Sequence, residues 1–228
     1  MIKLLCNVFF KKYIVRYVTK MKKRIVSAIL AVVMVLASLI AVAPTASAAT
    51  GYDRGYTEGA GGTGKVLTKG IDISEWQGSN FNFTALKNCG YDYVILRCGT
   101  GYQSATYVDP TFESNYKRAK AAGLGVGVYY YSYASTVAGV QKEMTHLLGI
   151  IKGKQFEYPI YFDFENGTVR SNIGDSVSKA KELCYTALDA IAEAGFLAGL
   201  YGYAGWFDPG YGGWFATGVA EISKKYDV

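Results

Sequence analysis

The sequence predicts an α/β fold in which parallel strands are covered by helices and rolled toward an αβ barrel. Three observations carry this. From Thr68 onward, strand-like and helix-like segments alternate, the rhythm of a parallel sheet joined by helical crossovers. No Gly-x-Gly-x-x-Gly turn is present, which argues against a dinucleotide-binding sheet. Polar and aromatic residues gather at the carboxyl ends of the predicted strands, the end where a barrel of this class carries its active face.

Taken in order, Lys69–Ser74 is a short alternating strand, and Phe83–Asn88 a short helix ended near Gly90. Tyr91–Cys98 is a strand rich in Val, Ile, Leu and Tyr. Asp109 and Pro110 open a helix as cap and first-turn proline, and it runs to Ala122 with Gly123 as its stop. Leu124–Tyr133 is the third strand and Val137–Ile151 the next helix. Pro159–Glu165 is the fourth strand. Ser176–Ala194 is a long amphipathic helix stopped at Gly195, and Phe196–Tyr203 is the fifth strand. Tyr226-Asp227-Val228 resembles the start of another.

The 228 residues carry a formal charge of +6, which suggests nucleic acid at first sight. The charge belongs to the first 48 residues, which hold eight Lys or Arg and no acid. Of the 24 basic residues, 16 then remain against 18 acidic ones, and no phosphate-binding stripe is left. Residues 1–48 have secretory grammar: Met21-Lys22-Lys23-Arg24 is a positive start, 25–43 is apolar or small, and Ala46-Ser47-Ala48 is a cleavage site. Met21 is the expected true start. Residues 49–67 read as a Gly-rich linker, and 68–228 as the folded domain. Localisation is therefore expected outside the cell or in the cell wall, with no membrane attachment after cleavage. Cys89, Cys98 and Cys184 show no metal-ligand spacing and read as small buried hydrophobes. No metal or organic cofactor is expected. His146 has no partner nucleophile and reads as structural.

The fourth strand is the most informative. Ile160, Phe162 and Phe164 alternate with Tyr161, Asp163 and Glu165, so both carboxylates face the same way. Two neighbouring acids on an apolar strand destabilise a fold through desolvation and like-charge repulsion. The plain alternative is a solvent-facing strand end. The other strands favour a site: Asp72 and Ser74 share the inward face of strand one, Tyr129 and Tyr131 that of strand three, and Tyr201 and Tyr203 that of strand five. Trp76 and Gln77 follow strand one directly. An acidic floor within aromatic walls suits sugars, whose flat faces stack on rings while carboxylates meet hydroxyls and glycosidic oxygens.

These residues also carry a resemblance. Gly70-Ile71-Asp72-Ile73-Ser74-Glu75-Trp76-Gln77-Gly78 resembles the opening motif of glycoside hydrolase family 25, the lysozyme-like muramidases. Asp163-Phe164-Glu165 is similar to that family's D-x-E on strand four. Gly127-Val128-Tyr129-Tyr130-Tyr131 resembles its third strand, and Leu200-Tyr201-Gly202-Tyr203 with Trp206 its fifth. The resemblance implies a TIM-like (βα)5β3 barrel. It also implies hydrolysis of the β-1,4 bond between N-acetylmuramic acid and N-acetylglucosamine. Glu165 would be the general acid, with Asp163 and Asp72 as supporting acids. Trp76, Tyr129, Tyr131, Tyr201 and Tyr203 would bind substrate. The implied partner is the peptidoglycan glycan strand, and a monomer is expected. A general acid needs a raised pKa, which an anionic Asp163 and an apolar surround would both give Glu165. The nucleophile stays open: a carboxylate, a water or the substrate's own acetamido group are all compatible.

The family has three closing strands beyond the fifth βα unit. Residues 68–228 are short for a closed barrel, so a chain lacking its last strands is expected. Two other readings compete with a hydrolase of this family. One is a glycan-binding module without turnover, and the other is a chitinase-like barrel enzyme, against which the motif around Asp72 argues.

Overall fold

The computed structural model describes residues 68–102 and 107–228. The expected leader and linker, residues 1–67, lie outside them. Six strands form one sheet: β1 (Gly70–Ile73), β2 (Tyr93–Thr100), β3 (Tyr107–Val108), β4 (Gly125–Tyr131), β5 (Ile160–Asp163) and β6 (Ala198–Tyr201). Their order is β1-β2-β4-β5-β6, all parallel, with β3 added antiparallel to the end of β2. Beyond β6, Asp227 forms a parallel bridge with Gly199, so the strand expected from Tyr226 makes its first pairing there. Among the described residues β1 pairs only with β2, and the described strands make an open sheet.

The helices are α1 (Phe83–Asn88), α2 (Phe112–Ala121), α3 (Val137–Ile151), α4 (Gly167–Ile173), α5 (Val177–Glu193), α6 (Ala204–Phe207) and α7 (Ala216–Ile222). The period-two pattern divides the sheet cleanly. Val94, Leu96, Val126, Val128, Ile160, Phe162, Ala198 and Leu200 are buried in one apolar core with residues of α2, α3 and α5. That continuous apolar stripe is what a helix-covered parallel strand requires. The alternate residues, among them Arg97, Tyr129, Asp163 and Tyr201, occupy the opposite face. Towards the amino ends of the strands this second face is filled by rings. Tyr93 and Tyr158 stack at 4.1 Å. Glycines make the room: a Cβ on Gly127 would lie 2.7 Å from the Pro159 carbonyl oxygen and 2.7 Å from Ile95.

Several boundaries differ from the sequence reading, each for a local reason. The helix expected to open at Asp109 begins at Phe112. The Asp109 carboxylate instead accepts from the Thr111 amide (2.9 Å) and hydroxyl (2.7 Å) and pairs with Arg97, so it makes a turn rather than a cap. The third strand ends at Tyr131 rather than Tyr133, because Ser132 and Tyr133 are bound by Glu143 of α3. Ser74 leaves the first strand to cap a single 3-10 turn, Glu75–Gln77, in a reciprocal arrangement with Gln77. The stops at Gly123 and Gly195 are as expected: both adopt positive φ, 73° and 86°, which closes α2 and α5. Helix α4 was not anticipated. It begins under Asn166, whose side chain accepts from the amides of Thr168 (2.9 Å) and Val169 (3.2 Å).

Candidate active site

The strand register brings the expected acids and tyrosines into rows. Asp163 lies between Tyr131 of β4 and Tyr201 of β6 as backbone partners. One row towards the amino ends come Arg97, Tyr129, Tyr161 and Gly199. Glu165 follows two residues beyond Asp163, where the Phe164 amide still bonds the Tyr201 carbonyl at 2.8 Å. β5 ends at Asp163 rather than at Glu165 as expected, yet the two acids lie close enough for the charge of Glu165 to act on Asp163. Asp72 sits on β1 and is exposed, yet its charge acts on Asp163, Glu165, Tyr129 and Tyr201. Three acids from the first and fourth strands of the βα series thus share one field.

The three are not equivalent. Asp163 is 1% exposed, and its Oδ1 has no hydrogen-bond partner. Burial drives its pKa well above the carboxylate range, and the charges of Glu165 and Asp72 add to this, while Arg97 opposes. Glu165 is half-buried and is also raised, first by burial and then by Asp72. Of the two expected causes, the apolar surround comes first, while the repulsion between the two acids raises Asp163 and the charge of Asp72 raises Glu165. Asp163 is itself the carboxyl most reluctant to ionise, so the charge acting on Glu165 comes from Asp72. The phenols around them share the desolvation: Tyr131 and Tyr201 are each pushed up to about 12, by burial first and then by the acids.

The rings line this face unevenly. Tyr129 and Tyr201 stack with centroids 6.3 Å apart, and Tyr131 meets Tyr133 edge-on at 5.4 Å. Tyr133 also packs against Tyr102 at 5.7 Å, which extends the aromatic surface along β4. Tyr203 is 60% exposed at the start of α6. Trp76 is 80% exposed on the 3-10 turn after β1, so it is a surface ring and not part of the core. Among the described residues no group of three His, Cys, Asp or Glu side chains is placed to hold a metal ion.

Two clusters escaped the sequence reading. Arg97 pairs with Glu75 and Asp109 beneath the acid face. Its signal was present as a lone charge in the apolar run Val94-Ile95-Leu96-Arg97-Cys98. Glu143, 2% exposed, accepts from the Ser132 hydroxyl (2.6 Å) and the Tyr133 amide (2.8 Å), and so fixes the turn after β4. It falls on the apolar stripe of α3 with Val140, Met144, Leu147 and Ile151, where an acid is out of place unless it has partners. His146 contacts the Tyr130 hydroxyl through Nδ1 at 3.0 Å on the helix-covered side, a structural role. Cys98 and Cys184 are buried as expected, but Cys89 is exposed.

Parallel strands whose carboxyl ends gather acids between phenol rings are the construction of an α/β glycoside hydrolase. Residues 71–218 match the family described as Glycosyl hydrolases family 25, and the chain belongs to it. It is similar to an autolytic lysozyme of Clostridium acetobutylicum, 29% identical over 139 residues, which are 61% of this chain and 39% of that protein. Among solved structures it resembles a family GH25 lysozyme from Aspergillus fumigatus, with a TM-score of 0.52 and 25% identity over 63% of this chain and 68% of the other. It also resembles the modular autolysin LytC from Streptococcus pneumoniae, solved with a synthetic peptidoglycan ligand. There the TM-score is 0.52 and the identity 25%, over 60% of this chain and 32% of LytC. The chain therefore spans well under half the length of the Clostridium protein it matches.

Proposed function

We propose that this chain is a muramidase that hydrolyses the β-1,4 bond between N-acetylmuramic acid and N-acetylglucosamine in peptidoglycan. The observation that carries the reading is the shared field of Asp72, Asp163 and Glu165 on one strand-end face of a family 25 chain. The lysozyme and autolysin relatives support the substrate. Glu165 is the general acid. It is half-buried and raised, so it keeps a proton at higher pH than an ordinary glutamate and can still reach a glycosidic oxygen. Asp163 is too deep to meet a sugar without movement. It supports the site from beneath, while the exposed Asp72 acts on Glu165 through its charge. Tyr129, Tyr131, Tyr201, Tyr203 and Trp76 supply ring faces for the sugars. Domain 68–228 works outside the cell as a monomer, within a (βα)5β3 barrel architecture, after removal of residues 1–48 and behind the linker 49–67.

The test is release of reducing ends from purified sacculi by the chain and by Glu165→Gln. The substitution keeps the shape and removes the proton donor, so release falls by about 100-fold or more, while sedimentation with sacculi is unchanged. Binding without release in the parent chain would make it a glycan-binding module instead. Release from chitin but not from peptidoglycan would move it to another substrate class. Amino-terminal sequencing of the secreted protein tests cleavage after Ala48.

A further inference from the structure

The acid face rests on a second charged layer. Strand β2 carries one extra residue against β4: Arg97 pairs with Tyr129 and Gly99 with Tyr130, which leaves Cys98 in a bulge. Arg97 therefore lies on the inner face, one row from Asp163, and it is 9% exposed. Its Nε donates to Asp109 Oδ2 at 2.9 Å, and its terminal nitrogen donates to the Glu75 carboxylate. Asp109 Oδ2 also accepts the Glu75 amide at 2.9 Å, and the Tyr107 hydroxyl donates to the same Glu75 carboxylate at 2.7–2.8 Å. Glu75 is thus held at both its backbone and its side chain. It opens the 3-10 turn that carries Trp76, three residues after Asp72.

Glu75, Asp109, Tyr107, Tyr129, Cys98 and Asp163 are the titratable groups that bond to or share a field with Arg97. Asp163 in turn feels Glu165 and Asp72 as like charges, and the Arg97 guanidinium opposes them. We propose that Arg97 is a positioning residue of this hydrolase: through Glu75 and Asp109 it locks the β1 end that carries Asp72 against the β2–β3 hairpin, and its charge holds the acid group together. The proposal rests on the hydrolase reading above. A fork of planar donors suits the task, because it binds two carboxylates in fixed directions while its charge stays on.

Lysine and methionine substitutions separate the two contributions. In Arg97→Lys the charge remains and the fork is lost. In Arg97→Met both are lost at similar volume. For Arg97→Met, kcat on sacculi falls about tenfold or more, and the carboxyl carbon of Asp163, followed by NMR, titrates at higher pH than in the parent. In Arg97→Lys the titration returns toward the parent value while kcat stays reduced. The pH profile of turnover moves with the NMR midpoint. A purely structural role would lower kcat and thermal stability alike in both variants and leave the Asp163 midpoint unmoved, and that result overturns the proposal. The titration needs no turnover. An inactive parent chain therefore defeats the muramidase reading alone, while the NMR midpoint still decides whether Arg97 acts on the acids.

Discussion

Replacing Asp163 with Asn should make the protein more stable at neutral pH. The carboxyl is 1% exposed, one of its oxygens has no partner, and it shares a field with Glu165 and Asp72. Alternate strand residues sit about 6.5–7 Å apart. Two unit charges at that distance repel by about 2 kcal/mol at an effective dielectric constant of about 20. Asn removes this repulsion and the burial of a charge, but it adds amide donors that offset about 1 kcal/mol. The net gain is about 1–2 kcal/mol, or roughly 2–8 °C in Tm for a domain of this size. The sign of the pH dependence follows from the direction of the shift. The folded pKa of Asp163 lies above its unfolded value, so the stability it contributes is intact below the unfolded pKa and is lost as pH rises through the folded one. Parent and Asn variant should therefore converge below about pH 3.5 and diverge as pH rises. Thermal unfolding of both proteins across this range is the assay. An Asn variant that is less stable at neutral pH, or a gain that persists unchanged in acid, would refute the reasoning.

Three further outcomes follow from the same structure. Glu165→Gln should lose turnover while keeping its affinity for sacculi, and the parent's activity should fall as pH rises through the raised Glu165 pKa, read from the alkaline limb of its profile. Gly127→Ala should cost about 1–3 kcal/mol, seen as a lower urea midpoint, because the new Cβ meets the fixed Pro159 carbonyl at 2.7 Å. Glu143→Ala takes the acceptor from the buried Ser132 hydroxyl, which keeps the Ala134 amide as its donor, and leaves the Tyr133 amide unpaired. It should cost about 2–3 kcal/mol and speed hydrogen exchange at Tyr133.

The fold was legible where periodicity is strong. Strands β2, β4, β5 and β6 and the long helices α3 and α5 lie within a few residues of their sequence positions, because apolar alternation and glycine stops act locally. Boundaries slipped where a side chain had a distant partner. Asp109 has the chemistry of a cap, but Arg97 and Glu75 claim it across 12 and 34 residues of chain. Helix α4 was hidden because Asn166-Gly167 reads as a turn until the Asn166 carboxamide is seen to cap two amides. Within the site, the nearness of Asp163 and Glu165 follows from their sequence spacing alone. Their inequality does not, since it depends on how deeply each sits and on where Asp72 and Arg97 arrive from other strands.

That inequality is what supports the proposed roles. If burial were equal, repulsion would divide the protons evenly and neither acid would be marked as donor. The row Tyr131–Asp163–Tyr201 shuts Asp163 away between strands that pair on both sides, whereas Glu165 lies past the last residue of β5 and keeps one side open. A single step of two residues along the chain therefore separates a buried acid from a half-buried one that keeps a side open. Asp72 reaches the same field from β1, and its strand end is fixed through Glu75 by Arg97 on the neighbouring strand. The order β1-β2-β4-β5 sets Asp72, Arg97, the β4 tyrosines and Asp163 on successive strands.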